Sequence, residues 1–189
     1  MKRMNALATT LLVAFLAAPL AAQAADPVMA IVNKAADKCI DRSLDIPQDP
    51  NAVHAQLWSC GGNRPYTTPP NQILTFEWVG RFGGGPWETY RLHSGTSLSG
   101  SCLSVENNSL LNGAKLSFSP CVAGDRSQMW MRAAENKDLV TSAKWVNLNS
   151  GKCIDANAPY NGVRLQQYDC ARDSWGPQDF QAYYTTSPF

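Results

Sequence analysis

Apolar residues along this chain fall into short runs broken at close intervals by glycine, asparagine, proline and serine. The runs Met29 to Val32, Val53 to Trp58, Leu74 to Val79, Thr89 to Leu92, Lys115 to Phe118, Met129 to Arg132 and Lys144 to Leu148 predict β-strands. Between them lie Asn112-Gly113, Asn161-Gly162, Ser150-Gly151 and Ala123-Gly124-Asp125. Asn-Gly pairs between apolar runs favour tight hairpin turns, because both residues tolerate positive φ. Past the N-terminal region, no long stretch keeps a 3.6-residue apolar period, and Ala133 to Val140 is only a weak helical candidate. The expected class is all-β.

A second regularity lies over the first. Lys38-Cys39-Ile40-Asp41, Gln56-Leu57-Trp58-Ser59-Cys60 and Asn71-Gln72 form one copy of a pattern. Ser101-Cys102-Leu103-Ser104, Leu116 to Cys121 and Ser127-Gln128-Met129-Trp130 form a second. Lys152-Cys153-Ile154-Asp155, Gln166-Gln167-Tyr168-Asp169-Cys170 and Pro177-Gln178-Asp179-Phe180 form a third. Repetition at this period implies a domain built from three equivalent units. The surplus length between copies one and two falls in Arg64 to Pro70, with Pro65, Pro69 and Pro70, and in Gly83-Gly84-Gly85-Pro86, both of which read as loops. Six cysteines allow fifteen pairings. Equivalent units close equivalent loops, which selects 39 with 60, 102 with 121 and 153 with 170, each bridge contributing roughly 3 kcal/mol in the chain-entropy account.

The N-terminus carries Lys2 and Arg3, an apolar stretch around Leu11 to Leu20 and the small-residue sequence Ala22-Gln23-Ala24, so residues 1–24 read as a secretory signal. That stretch is short for a bilayer span, and no later segment is apolar enough for one. Residues 25–189 then form a single domain, exported to an extracellular or periplasmic compartment where disulfides persist. A net charge of +1 with scattered basic residues gives no pull toward nucleic acid. The cysteines show no Cys-x-x-Cys pair, and neither a metal nor a cofactor is implied.

These spaced elements resemble the ricin B-type lectin repeat, whose fold is a β-trefoil. The resemblance spans about Ile31 to Tyr184, with repeats at about 29–88, 89–143 and 144–189. Copy two keeps the closing Gln-x-Trp as Gln128 and Trp130, and copy three has Phe180 for the aromatic. Copy one departs from it: Gln72 is followed by Ile73 and Leu74, with Phe76 and Trp78 further on. In this family the glutamine bonds within the repeat and the aromatic fills a shared core.

Side chains alternate across a strand, so with Leu57 inward, Gln56 and Trp58 share the other face. An exposed indole is a platform on which the C–H face of a pyranose can stack. Asp41 adds an acceptor-only carboxylate and Asn71 both a donor and an acceptor. The family's binding pattern maps onto Asp41, Gln56, Trp58 and Asn71, and again onto Asp155, Gln166 and Tyr168. In copy three Pro177 stands where Asn71 does, and Asn157 or Asn161 is the candidate to compensate. Copy two has Ser104 for the aspartate and Ser119 for the aromatic, with Ser117 and Ser119 expected to point outward, and reads as structural. Its Asn107-Asn108-Ser109 matches a glycosylation acceptor.

No catalytic constellation stands out. His54 and His93 belong to no triad or ligand set, Asp41 and Asp155 belong to separate lobes, and Gly83-Gly84-Gly85 lacks the lysine of a phosphate loop. The leading expectation is a non-enzymatic, secreted lectin for galactose-like or related glycans and glycoconjugates. One alternative is a ricin-like binding subunit of the cytolethal distending toxin type, partnered with a secreted catalytic toxin subunit through a patch of Trp87, Trp145, Trp175, Tyr183 and Tyr184. Another is a trefoil hydrolase inhibitor acting through Arg64 to Pro70.

Overall fold

The computed structural model describes residues 26–44, 53–61, 68–82, 85–134, 138–172 and 176–185. The segment expected to be a secretory signal, most of the loop from Arg64 to Pro70, and Trp175 lie outside these. In the first lobe the strands are β1 (Val28–Asn33), β2 (Lys38–Arg42), β3 (Val53–Ser59) and β4 (Leu74–Gly80). The second holds β5 (Thr89–Ser94), β6 (Cys102–Val105), β7 (Leu116–Ser119) and β8 (Met129–Ala133). The third holds β9 (Lys144–Asn147), β10 (Cys153–Asp155), β11 (Val163–Arg164), β12 (Gln166–Tyr168) and β13 (Phe180–Tyr184).

Antiparallel pairing joins β13 to β1, β1 to β4, β4 to β5, β5 to β8 and β8 to β9. A bridge between Ala143 and Phe180 returns from the start of β9 to β13. The ring is therefore closed, which removes the unpaired edges an open sheet would present. The hairpins β2–β3, β6–β7 and β10–β12 cap it. They also pair with one another: β3 with β7, β11 with β3, and Lys115 with Gln166. This is the β-trefoil, and each lobe holds one disulfide: Cys39–Cys60, Cys102–Cys121 and Cys153–Cys170.

The repeat is visible in the core. Ile40, Leu103 and Ile154, each following a first cysteine, are all buried. Leu74, Trp130 and Phe180 take one equivalent position, so Leu74 occupies the place of the closing aromatic in copy one and Phe76 adds the ring two residues later. Phe76, Tyr90 and Trp145 meet edge-on in all three pairings, with centroids 5.5 to 6.0 Å apart. Trp145 is thus a core residue, 1% exposed, and cannot belong to the surface patch expected of it. At the position of Leu57 and Phe118, the third lobe places a buried Gln167. Its Nε2 donates to the carbonyls of Ser109 and Leu111, and its Oε1 accepts from Ser150 Oγ, which offsets the cost of burying an amide.

Three further expectations change. Residues 133–140 contribute no helix among the described residues, since Ala133 ends β8 and Arg132 ties the following loop by donating to the carbonyls of Asp138 and Thr141. The run at Lys115 begins its strand at Leu116, leaving Lys115 as a single bridge to Gln166. The strands carrying the first cysteine of each lobe were not among the predicted runs. They are short, and aspartate and serine are poor strand formers, so cross-strand pairing overrides their intrinsic preference.

Candidate functional site

The hairpin β2–β3 sets Cys39 opposite Trp58, Ile40 opposite Leu57 and Asp41 opposite Gln56. Ile40 and Leu57 point into the core, which sends Asp41, Gln56 and Trp58 to the other face. There Gln56 Nε2 donates to Asp41 Oδ1 at 2.9 Å. Asn71 Nδ2 and Gln72 Nε2 donate to Asp41 Oδ2 at 2.8 and 2.9 Å. Three amides thus orient one carboxylate that is 2% exposed, while the Trp58 ring beside it stays 43% exposed. Both line a cleft of about 400 Å³ together with Gln56, Pro69, Asn71 and Gln72. Asn71 and Gln72 arrive on a short 3₁₀ turn, Pro70–Gln72, that follows the proline-rich insertion.

Gln72 joins this cluster although its motif role reads as structural. It serves both purposes, because its Oε1 accepts from the Gly61 backbone at 3.0 Å and its Nε2 reaches the Ser59 carbonyl as well as Asp41. Gln128 and Gln178 repeat the structural half, accepting from Val122 and Ala171. Nothing in the residues flanking Gln72 signals this double use; only its spacing from the second cysteine does.

The third lobe reproduces the register, with Cys153 opposite Tyr168 and Asp155 opposite Gln166. Gln166 Nε2 donates to Asp155 Oδ1 at 3.0 Å, and Gln178 Nε2 donates to Asp155 Oδ2 at 3.1 Å. Tyr168 is 46% exposed. Pro177 replaces the amide of Asn71, so this carboxylate receives no donor from that position.

Asn161, expected to compensate in the third lobe, serves the first instead. Its Oδ1 accepts from the Ser59 backbone N–H at 2.9 Å, and Gly162 donates its N–H to the Leu57 carbonyl at 2.9 Å. The Asn112-Gly113 turn of the second lobe repeats this on the third: Asn112 Oδ1 accepts from the Asp169 N–H at 3.0 Å and Gly113 donates to the Gln167 carbonyl at 2.8 Å. Each exposed ring therefore stands beside a turn from another lobe. The reason is topological, since β11 pairs with β3 of the first lobe and Lys115 of the second bridges to Gln166 of the third.

In the second lobe Ser117 and Ser119 lie on the outer face and line a cleft, as expected, although Ser117 is little exposed, and Ser104 Oγ lies 2.8 Å from Ser119 Oγ. Small side chains in place of the aspartate, glutamine and aromatic leave a cleft of about 410 Å³ with no ring at the position of Trp58 and Tyr168, walled by His54, Glu106 and Arg164. Asn107 and Asn108 sit beside it with positive φ. His93 is buried and holds Glu77 Oε2 at 2.8 Å through Nε2. Among the described residues, the one His/Cys group compact enough for a metal is His93 with Cys102 and Cys121, and those two sulfurs are joined to each other. The surface carboxylate Asp169 is held below the usual range by hydrogen bonds from Lys152 and Asn112.

Among solved structures the chain is similar to ThreeFoil, a designed threefold-symmetric protein, with a TM-score of 0.62 and 22% identity, covering 82% of this chain and 97% of that one. It is similar to the ricin B-like lectin of Macrolepiota procera in complex with lactose, with a TM-score of 0.59 and 17% identity, covering 87% and 99%. It is also similar to the Polyporus squamosus lectin bound to Neu5Acα2-6Galβ1-4GlcNAc, with a TM-score of 0.61 and 13% identity, covering 86% of this chain and 50% of that one. The chain spans only 30% of another similar structure, an exo-β-1,3-galactanase from Clostridium thermocellum. Identities this low establish the shared fold. Comparison with curated proteins finds no match. The family described as ricin-type beta-trefoil lectin domain-like matches residues 70–168, which include Asn71, Asp155, Gln166 and Tyr168 and exclude Asp41, Gln56 and Trp58. A match over more than half of the chain, on a closed three-lobed trefoil, places this protein in the ricin-type beta-trefoil lectin domain-like family.

Proposed function

We propose that this protein is a secreted carbohydrate-binding lectin that holds galactose-like or related pyranoses in the first-lobe cleft and, with a different donor set, in the third. One observation carries the reading: a half-exposed indole stands beside a carboxylate that three amides hold in place. The ring offers an apolar face to the C–H side of a sugar, and the carboxylate and amides discriminate its hydroxyls by direction. Neither step needs a nucleophile or a proton shuttle, so the activity is binding. Two sites on one rigid body raise the effective affinity for clustered glycans well above that of either alone. Export through a signal at residues 1–24 is consistent with three disulfides, which persist in oxidising compartments. A glycan array probed with wild type, Asp41→Ala and Asp155→Ala tests the reading. Retained signal in each single variant and none in the double variant is expected; an array on which wild type binds nothing rejects it.

A second reading, as the binding subunit of a toxin complex, draws support from exposed Trp78, Phe82 and Trp87 on and around the β4–β5 hairpin. Copurification of a catalytic chain that is lost on Trp78→Ala with Trp87→Ala would favour it over free lectin activity.

A further inference from the structure

The two Asn-Gly turns that bond to the first- and third-lobe hairpins each carry a basic residue shortly afterwards, Arg164 and Lys115. Their surroundings differ. Arg164 is paired with Glu106 and lies against the second-lobe cleft. Lys115 makes no ion pair among the described residues, and its Nζ donates to Gln166 Oε1 at 3.0 Å. Gln166 spends its other end on Asp155 Oδ1 at 3.0 Å, so the amide is fixed with its oxygen toward Lys115 and its nitrogen toward Asp155. The nearest other acid along the strand, Asp169, is taken up by Lys152 and Asn112.

An ammonium has three N–H donors, and the bond to Gln166 engages one. The third-lobe cluster of Asp155, Gln166 and Tyr168 also lacks the amide that Asn71 provides in the first, because Pro177 stands there. Lys115, from the second lobe, instead brings a positively charged donor against Gln166 of this cluster. Among the described residues, no cationic side chain lines the first-lobe cleft.

Resting on the reading of these clefts as sugar sites, we propose that the two have diverged in charge preference. The first takes a neutral pyranose, and the third takes an anionic one whose acid group is read by Lys115 while its ring lies on Tyr168. Asp155, which accepts from both Gln166 and Gln178, faces the hydroxyl side, and Lys115 stands across Gln166 from it. This arrangement separates the site's two charges along the length of one amide.

The test uses the Trp58→Ala protein, so that the third lobe reports alone, titrated with galactose, galacturonic acid and galactose 6-sulfate. The anionic sugars are expected to bind about tenfold tighter than galactose, the scale of one charge-assisted hydrogen bond, with the preference fading at high salt. Whichever anion binds more tightly assigns the acid group as carboxylate or sulfate. Lys115→Met should abolish the preference, costing the anionic sugars about tenfold more than galactose, while Lys115→Arg should retain it. Equal binding of galactose and both anions would overturn the proposal, as would a Lys115→Met loss equal for all three sugars, which would make Lys115 only a positioning residue for Gln166. Both results leave the lectin reading intact. Absence of all binding in Trp58→Ala, with wild-type binding preserved in Tyr168→Ala, would remove the third site and the proposal together.

Discussion

Asn161 accepts a hydrogen bond from the backbone N–H of Ser59 at 2.9 Å, across a sequence separation of 102 residues. It thereby draws Gly162 against the Trp58 ring, where an added Cβ would lie 3.6 Å from Cζ3. The platform of the first lobe is thus walled by the third. Geometry at the cleft depends on the closed trefoil, and a lobe in isolation would lack a side of its site.

Asn161→Ala removes the acceptor and should weaken first-site binding several-fold, with about 1 kcal/mol lost from stability. Gly162→Ala should cost a similar amount for a different reason: Gly162 has φ near +79°, where an L side chain is strained. Chemical denaturation alongside sugar titration separates the two effects.

Asp41 and Trp58 should respond differently to truncation. Asp41→Ala deprives three amides of their shared acceptor inside a buried cluster and should lose binding and about 3 kcal/mol of stability together. Trp58→Ala removes a half-exposed ring and should lose binding with about 1 kcal/mol or less of stability. Thermal melts of both variants beside their sugar affinities check this division.

Gly61 offers a finer probe of the cleft wall. A Cβ there would fall 2.2 Å from Pro69 Cγ, so Gly61→Ala must push the proline and the turn carrying Asn71 and Gln72. The equivalent positions, Val122 and Ala171, bear side chains, so the restriction belongs to the first lobe's proline insertion rather than to the repeat. Reduced first-site affinity, with third-site affinity unchanged, is the expected titration result.

Burial raises the Asp179 carboxyl above its usual range, with Lys34 and Lys144 pulling the other way. The folded state therefore keeps this proton to higher pH than the unfolded one. Its contribution is fully present below the ordinary carboxylate pKa, about 3.9, and is lost as pH rises through the higher folded value. Asp179→Asn should raise the melting temperature at neutral pH and flatten its fall between acid and neutral pH, which melts across that range would record.

The part of this molecule that repeats was legible in the sequence. Cysteine spacing identified the lobes and their bridges, and strand alternation put Leu57 inside with Trp58 outside, as observed. What escaped depends on contacts between lobes or on the identity of a pairing partner. Asn161 lies in copy three yet bonds to copy one, and no periodicity encodes which hairpin a turn will reach. Trp145 looked available for a surface because aromatic content alone does not say which face of a short strand closes a barrel. Gln167 is polar at a core position and is tolerated only because loop carbonyls from the second lobe meet its amide.

Isothermal titration of a glycan selected on the array, comparing wild type with Trp58→Ala, tests the sugar site of the first lobe most directly. Loss of the first-site binding event with the fold intact is the predicted result. An unchanged isotherm, with the same stoichiometry and affinity, would contradict it.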